Sequence, residues 1–244
     1  MIEVEQLGKQ FGPVYAVRNL SFKAQNRAIT GLLGLNGAGK TTTLRIIAGI
    51  LKPQQGQVRI DGVPAYDGRI ETRERLGALL DHTGLYGRLT ARENLAYFGQ
   101  LHDIPQTRLA RRVTELLGLL RLESIADRRT AGFSQGERMK VALGRALIHA
   151  PGNLLLDEPT NGLDIPTVRS LRSLLKRMRD EGICVIFSSH ILEEVRELCD
   201  QVVVISKGTI AAQGTPSELC RQAGTNALEE AFLRFAAQDE APVC

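Results

Sequence analysis

Eight residues, Gly34-Leu35-Asn36-Gly37-Ala38-Gly39-Lys40-Thr41, follow the spacing Gly-x4-Gly-Lys-[Ser/Thr], which suits a loop that cradles phosphates. Glycines let the backbone curl with its N–H groups turned inward, in regions of φ and ψ that a Cβ obstructs. Lys40 brings a mobile positive charge for β- and γ-phosphates, and the Thr41 hydroxyl is a ligand for Mg²⁺. A second set of candidates lies far downstream, where the apolar run Leu154-Leu155-Leu156 ends in Asp157 and Glu158. Carboxylates at the end of a buried strand are costly unless they serve a cation or a hydrogen-bond network. Beside a phosphate loop, Asp157 suits Mg²⁺, directly or through water, and Glu158 suits polarising an attacking water. The alternative is structural: the two acids end a strand and cap the turn before Pro159.

Phe133-Ser134-Gln135-Gly136-Glu137 opens a helical stretch. Ser134 and Glu137 have capping-box spacing. The same helix start, with Gly136 beside it, lets backbone N–H groups approach an anion closely. Both roles coexist if the Ser134 hydroxyl moves from cap to phosphate.

Secondary structure must bring these stretches together. Residues 2–7 and 17–24 alternate as half-buried strands do, and Ile29–Leu33 is a buried strand running into the phosphate loop. Helical character begins at Thr42-Thr43-Leu44, so a helix N-terminus adds partial positive charge where phosphates would sit. Pro53–Gly56 reads as a turn, Val58–Ile60 as a short strand and Leu76–Leu80 as another. From about residue 88 to 150 the pattern is helical: Leu89–Leu95 with Thr90 as cap, Leu109–Leu120, and Arg138–Ala150 stopped by Pro151. An α/β alternation then resumes, with strands at 153–157, 183–188, 202–206 and 210–214 and helices at 168–179 and 192–199. The tail carries an amphipathic stretch, Leu228–Ala236. The division expected is a core over 1–220, with a helical subdomain of about 88–150 inserted, and a C-terminal helical tail over 221–244.

Composition narrows the classes. A chain of 244 residues suits one domain, or one with a small subdomain. No apolar run approaches the roughly 20 residues that span a bilayer, and Met1–Glu5 lacks the character of a signal peptide. Four cysteines without metal-like or paired spacing read as reduced packing residues. A net charge of +4 and 5% aromatics give neither the basic stripe nor the stacking platform of a nucleic-acid binder.

Taken together, Gly34–Thr41, Phe133–Glu137, Leu154–Glu158, Asn161-Gly162-Leu163-Asp164 and Ser189-His190 resemble, in order, the motifs of the ATP-binding cassette (ABC) ATPases, over about residues 2–220. The resemblance implies an α/β P-loop NTPase of ABC architecture, with a mixed β core, an antiparallel β subdomain and a helical insert. It further implies a head-to-tail dimer, expected to pair identical chains, with two ATPs at its interface. Each ATP would lie between the Lys40 loop of one copy and the Ser134 helix of the other. Carried over residue by residue, Gly34, Leu35, Asn36, Gly37, Ala38, Gly39, Lys40, Thr41 and Thr42 hold the phosphates and Phe11 stacks on adenine, its alternative being core packing. Ser134 and Gly136 close on the partner's γ-phosphate, Asp164 crosses the interface, Glu158 is the general base and His190 is the switch histidine at the γ-phosphate. Thr41, Asp157 and Asp81 are the Mg²⁺ candidates.

The chain departs from the family pattern in three places. Asp81 stands where a glutamine usually ligates Mg²⁺. Gln135 and Glu137 replace a glycine and the glutamine of Leu-Ser-Gly-Gly-Gln. Asn26-Arg27-Ala28 replaces a turn glycine, and Asn26, which tolerates left-handed backbone, is expected to shift the turn by one residue. Gly84–Leu95, with Phe133–Gly136 and Asp157–Asp164, looks like the NatA-type ATPases of bacterial sodium and drug exporters. That likeness implies an ATP-hydrolysing subunit that powers a separate transmembrane permease from the cytoplasmic face of the membrane. The permease's short helix would dock in a groove near Asp81–Tyr97, between core and insert. Two other readings remain: a soluble ABC-type ATPase acting on nucleic acid or ribosomes, and an ATP-gated regulatory subunit without turnover.

Overall fold

The fold is that of a computed structural model, which describes residues 1–66, 72, 74–80 and 84–237; Asp81 lies outside the described residues. Among them, ten strands form two sheets. In the first, β1 (Ile2–Phe11), β2 (Val14–Ala24), β4 (Gln55–Ile60) and β5 (Val63–Pro64) pair antiparallel in the order β2-β1-β4-β5. In the second, β3 (Ile29–Leu33), β6 (Leu76–Leu79), β7 (Asn153–Leu156), β8 (Cys184–Ser189), β9 (Gln201–Ser206) and β10 (Thr209–Gly214) take the order β10-β9-β3-β8-β7-β6. All its pairs are parallel except β9 with β10.

Side-chain alternation in this second sheet divides the core in two. Leu32, Leu155, Ile186 and Val203 face one way, onto helix α1 (Lys40–Ile47) and the first sheet. Ile29, Leu33, Leu154, Leu156, Val185 and Phe187 face the other way, into a cluster shared with the remaining helices. With both faces covered, β3, β7 and β8 are buried along their whole length, which is why they read as unbroken apolar runs.

Between β6 and β7 the chain forms α2 (Ala91–Leu101), α3 (Gln106–Leu119) and α4 (Gln135–Leu147). Thr90 caps α2 and Ser134 caps α4, each in a reciprocal capping box with Glu93 and Glu137. Gly77 on β6 lets α4 come close, since a Cβ there would stand 2.2 Å from the Ala146 carbonyl oxygen. After β7 come α5 (Ile165–Asp180), α6 (Leu192–Leu198), α7 (Pro216–Gln222) and α8 (Leu228–Ala237).

Several boundaries differ from the sequence reading. The supposed turn at 53–56 already contains the start of β4, where Gly56 sits at φ 76 and a Cβ would clash with the Glu5 carbonyl at 2.2 Å. Arg27, not Asn26, takes the left-handed conformation, at φ 58. It is held there because its N–H donates to the Gly182 carbonyl at 3.3 Å and its guanidinium to the Asp180 carbonyl at 3.0 Å. Helix α4 ends at Leu147, short of Ala150. Helix α7 is absent from the sequence reading, although Thr215 and Glu218 form a capping box and Pro216 stands in its first turn. Cys184, Cys199 and Cys220 are free thiols, and burial raises Cys184 to about 11, so it stays protonated.

Candidate active site

Three parallel strands end at one edge, the place where open α/β sheets bind ligands. β3 releases the chain at Gly34, β7 at Asp157 and β8 at His190. The register Leu33–Ser189 and Leu156–Phe187 sets these ends side by side. A cavity of about 250 Å³ opens there, lined among others by Asn36, Gly37, Lys40, Thr41, Thr42, Glu158, Asn161 and His190.

The loop before α1 has little freedom. A Cβ at Gly34 would lie 2.4 Å from the Ile205 carbonyl oxygen, and Gly39, at φ 110, would meet the Ala16 carbonyl at the same distance. Leu35, Asn36 and Gly37 turn outward, while Ala38 is buried. Its N–H donates to the Leu35 carbonyl at 3.1 Å, and its carbonyl accepts from Gly208 N–H at 2.9 Å. Lys40 is almost wholly buried. Its ammonium donates to the carbonyls of Gly34 (2.7 Å) and Leu35 (3.3 Å) and pairs with Glu158 Oε1 at 3.3 Å. Thr43 returns its hydroxyl to the Gly39 carbonyl at 2.9 Å, whereas Thr41 and Thr42 line the cavity.

Glu158 is the hub. Its second oxygen, Oε2, lies 2.8 Å from His190 Nδ1. Its backbone is left-handed at φ 47, a conformation uncommon outside glycine that persists only when neighbours hold it. Ser188 does so: its hydroxyl accepts from the Glu158 N–H at 2.9 Å and donates to Asp157 Oδ1 at 2.6 Å. Ser189, one residue on, donates to Glu194 Oε2 at 2.8 Å and accepts from Ile191 N–H at 2.9 Å, fixing the turn that aims His190. Sequence reading missed Ser188, and it quoted Ser189 and Asn161 within motifs without giving either a role. Two consecutive hydroxyls closing an apolar strand are the signal that could have marked the first two.

Other candidates lie elsewhere on the chain. Ser134, Gly136 and Asp164 do not line the Lys40 cavity. Ser134 is exposed; its hydroxyl accepts from Glu137 N–H at 3.2 Å, and Glu137 Oε2 accepts from the Ser134 N–H at 2.7 Å. Glu137 is thereby turned back onto the helix start. Asp164 caps α5 by accepting from Thr167 N–H at 2.8 Å, and the hydrogen bonds from Thr167 hold its carboxyl below the usual range. Gly136 faces that same first turn, with Thr167 3.3 Å from where its Cβ would be. Phe11 ends β1 about half exposed, with the Lys9 ammonium 5.4 Å from its ring centre, so it is not core packing.

This geometry, a buried lysine, a carboxylate and a histidine around a glycine-lined hollow at a helix N-terminus, suits binding and cleaving a polyphosphate. Comparison with known proteins agrees. Residues 17–161 match the family model described as ABC transporter. The chain is 41% identical over 221 residues to the ABC transporter ATP-binding protein NatA of Bacillus subtilis, covering 90% of each. It is 36% identical over 219 residues to the sulfate/thiosulfate import ATP-binding protein CysA of Thermosynechococcus vestitus, covering 89% of this chain and 65% of that one. Among solved structures, an ATP-binding subunit of an ABC transporter superposes with a TM-score of 0.88 at 29% identity, over 96% of this chain and 99% of that one. A dimeric post-hydrolysis state of the cassette MJ0796, bound to ADP and Pi, superposes with a TM-score of 0.80 at 25% identity, over 88% and 98%. The chain belongs to the ABC transporter family, as one of its ATP-binding, ATP-hydrolysing subunits.

Proposed function

We propose that two copies of this chain close head to tail around two ATPs, and that this closure drives a separate transmembrane permease. The observation that carries the reading is the split of the motif residues. Lys40, Glu158 and His190 meet in one cavity, while Ser134, Gly136 and Asp164 lie outside it, free to serve a second copy. In this arrangement Lys40 and the loop N–H groups hold the β- and γ-phosphates, with Phe11 under the adenine. Glu158 orients and deprotonates the attacking water, and His190, 2.8 Å from Glu158, contacts the γ-phosphate and steadies that carboxylate. The partner's Ser134 helix start completes the anion site.

Thr41 and Asp157 supply a hydroxyl and a carboxylate, the hard oxygen donors that Mg²⁺ takes, so the residues fit that ion. Bound there it would neutralise charge on the β- and γ-phosphates. Asp81 is a further candidate ligand outside the described residues.

Mixing two dead variants tests the split. Ser134→Asp keeps a good helix cap but sets a carboxylate against the partner's γ-phosphate. Lys40→Ala removes the phosphate lysine. In a mixed dimer one of the two sites is intact, so phosphate release returns on mixing. Two variants that stay inactive together overturn the head-to-tail arrangement.

The permease would dock in a hollow of about 390 Å³ lined by Ile47, Gly49, Leu76, Phe98, His102 and His149 among others; Phe98 adjoins the Asp81–Tyr97 stretch expected from the sequence, and among the described residues none of that stretch lines the hollow. Its two histidines are neutral at ordinary pH: His102 and His149 stack at 4.0 Å, and burial pushes His149 down to about 4 and His102 below its ordinary value, while Arg145 adds one positive charge, its guanidinium 4.6 Å from the Phe98 ring centre. Among the described residues no helix is long and apolar enough to cross a membrane; in this reading, contact between the permease and the hollow holds the chain at the cytoplasmic face. Phe98→Ala is expected to weaken retention of the permease in detergent by roughly thirtyfold, the effect of one interface hot spot, with phosphate release by the isolated chain unchanged. Equal recovery of permease would remove the hollow from the reading. Export is the direction favoured, on the likeness of Gly84–Leu95 to NatA-type proteins; likeness to CysA, whose name specifies import, makes a vesicle transport assay the arbiter.

A further inference from the structure

Position 135 opens α4 directly after Ser134, at a place where the family pattern carries glycine. Here it has a reach of its own. Its side-chain amide Nε2 donates to the carbonyl of Asn161 at 2.9 Å. Asn161 lines the Lys40–Glu158 cavity, and its N–H donates to the Glu158 carbonyl at 3.1 Å. Two hydrogen bonds therefore run from the start of the Ser134 helix to the backbone of Glu158. Gly162 makes room for the bridge. It sits at φ 71, and a Cβ there would stand 2.5 Å from Gln135 Nε2 and 2.8 Å from its Oε1.

We propose that Gln135 is a positioning residue that couples the two ATP sites of the dimer. The inference rests on the head-to-tail dimer proposed for this chain. In that dimer the Ser134 helix serves the sister chain's nucleotide, whereas Glu158 serves its own. Gln135 joins the two within one chain. When nucleotide at the Lys40 site engages Glu158, the segment 158–161, which starts from the left-handed backbone of Glu158, is drawn with it. The bridge carries that movement to the helix start that closes on the other ATP. Each site then reports its state to the opposite one through a single side chain. A glycine at 135 has no side chain to make this bridge.

Gln135→Ala removes the bridge, and Gln135→Met keeps the side-chain length without the N–H donor. Both are measured as full-length chains, with co-purified permease where the isolated chain turns over slowly. Wild type is expected to release phosphate with a Hill coefficient above 1 in ATP. Both variants should bring it toward 1 and lower kcat about three- to tenfold, the effect of one net hydrogen bond. The ATP concentration for half-maximal dimerisation, read in the Glu158→Gln background, should rise by a similar factor. The thermal midpoint should not move, because the bridge is exposed. A fall in the midpoint with the Hill coefficient unchanged makes Gln135 merely structural. Loss in the Ala variant but not in Met makes its role steric. Wild-type behaviour of both, or hyperbolic wild-type kinetics, overturns the coupling. The dimer reading beneath it fails separately: mixed Ser134→Asp and Lys40→Ala chains would then stay inactive.

Discussion

Glu158→Gln is expected to lower kcat by about 10²–10⁴-fold, the contribution typical of a positioned general base, while ATP still binds. The substitution is nearly isosteric. The hydrogen bonds that hold the backbone at φ 47 come from Ser188 and Asn161 and do not involve the carboxylate, so the loop should keep its place. What is lost is the proton-accepting oxygen and the negative charge that pairs with Lys40 at 3.3 Å. Losing that pair also frees the Lys40 ammonium, which strengthens its hold on a triphosphate. Closure without turnover results, and ATP should collect the variant as a stable dimer in size-exclusion chromatography. Wild-type turnover in the purified variant would refute the assignment. Slow turnover without a dimer would leave Glu158 as the base but deny that ATP alone holds the copies together. His190 shares the carboxylate at 2.8 Å and is assigned a γ-phosphate contact, so in a phosphate-release assay His190→Ala should slow the reaction, with a smaller loss of nucleotide affinity than Lys40→Ala.

The sequence was most legible where one backbone has little choice. Gly34 and Gly39 are forced by carbonyls 2.4 Å from any Cβ, so the phosphate loop announces itself in residue types. The strands β3, β7 and β8 were equally plain, because a parallel strand covered on both faces must be apolar throughout. Their adjacency was not written locally. Ser188 reaches both Asp157 and the Glu158 N–H only because β7 and β8 pair in the register Leu156–Phe187, and a hydroxyl's partner across strands has no trace in spacing. Gln135 was visible as a departure from glycine, yet its partner lies in a loop 26 residues on. Arg27 shows the limit of propensity: Asn26 is the better left-handed residue, but contacts from 180–182 decide the turn. Helix α7 is the opposite case, since Thr215, Pro216 and Glu218 signal a helix start in residue types alone.

Lys40→Ala is expected to abolish tight ATP binding. The ammonium sits among three acceptors, the Gly34 and Leu35 carbonyls and Glu158 Oε1. A triphosphate competes with these for the same charge, and wins because its negative charge is larger and the α1 N-terminus favours it as well. Removing the ammonium does two things at once. It deletes a charge-assisted contact to phosphate, and it leaves the Glu158 carboxylate uncompensated beside the site, where it repels the incoming anion. Truncating one partner of a hydrogen-bonded charge pair costs about 2–5 kcal/mol, which is roughly thirtyfold to several thousandfold in affinity. The measurement is nucleotide titration by calorimetry, with the thermal midpoint of the unliganded variant as a control for folding. Phosphate release should vanish in step with binding. Lys40→Arg should recover part of the affinity but not the wild-type value, because the guanidinium is too broad for a pocket in which the lysine side chain is 5% exposed. An unchanged nucleotide affinity in Lys40→Ala would mean that the phosphates do not sit in this loop, and the roles assigned to Glu158 and His190 would fall with it.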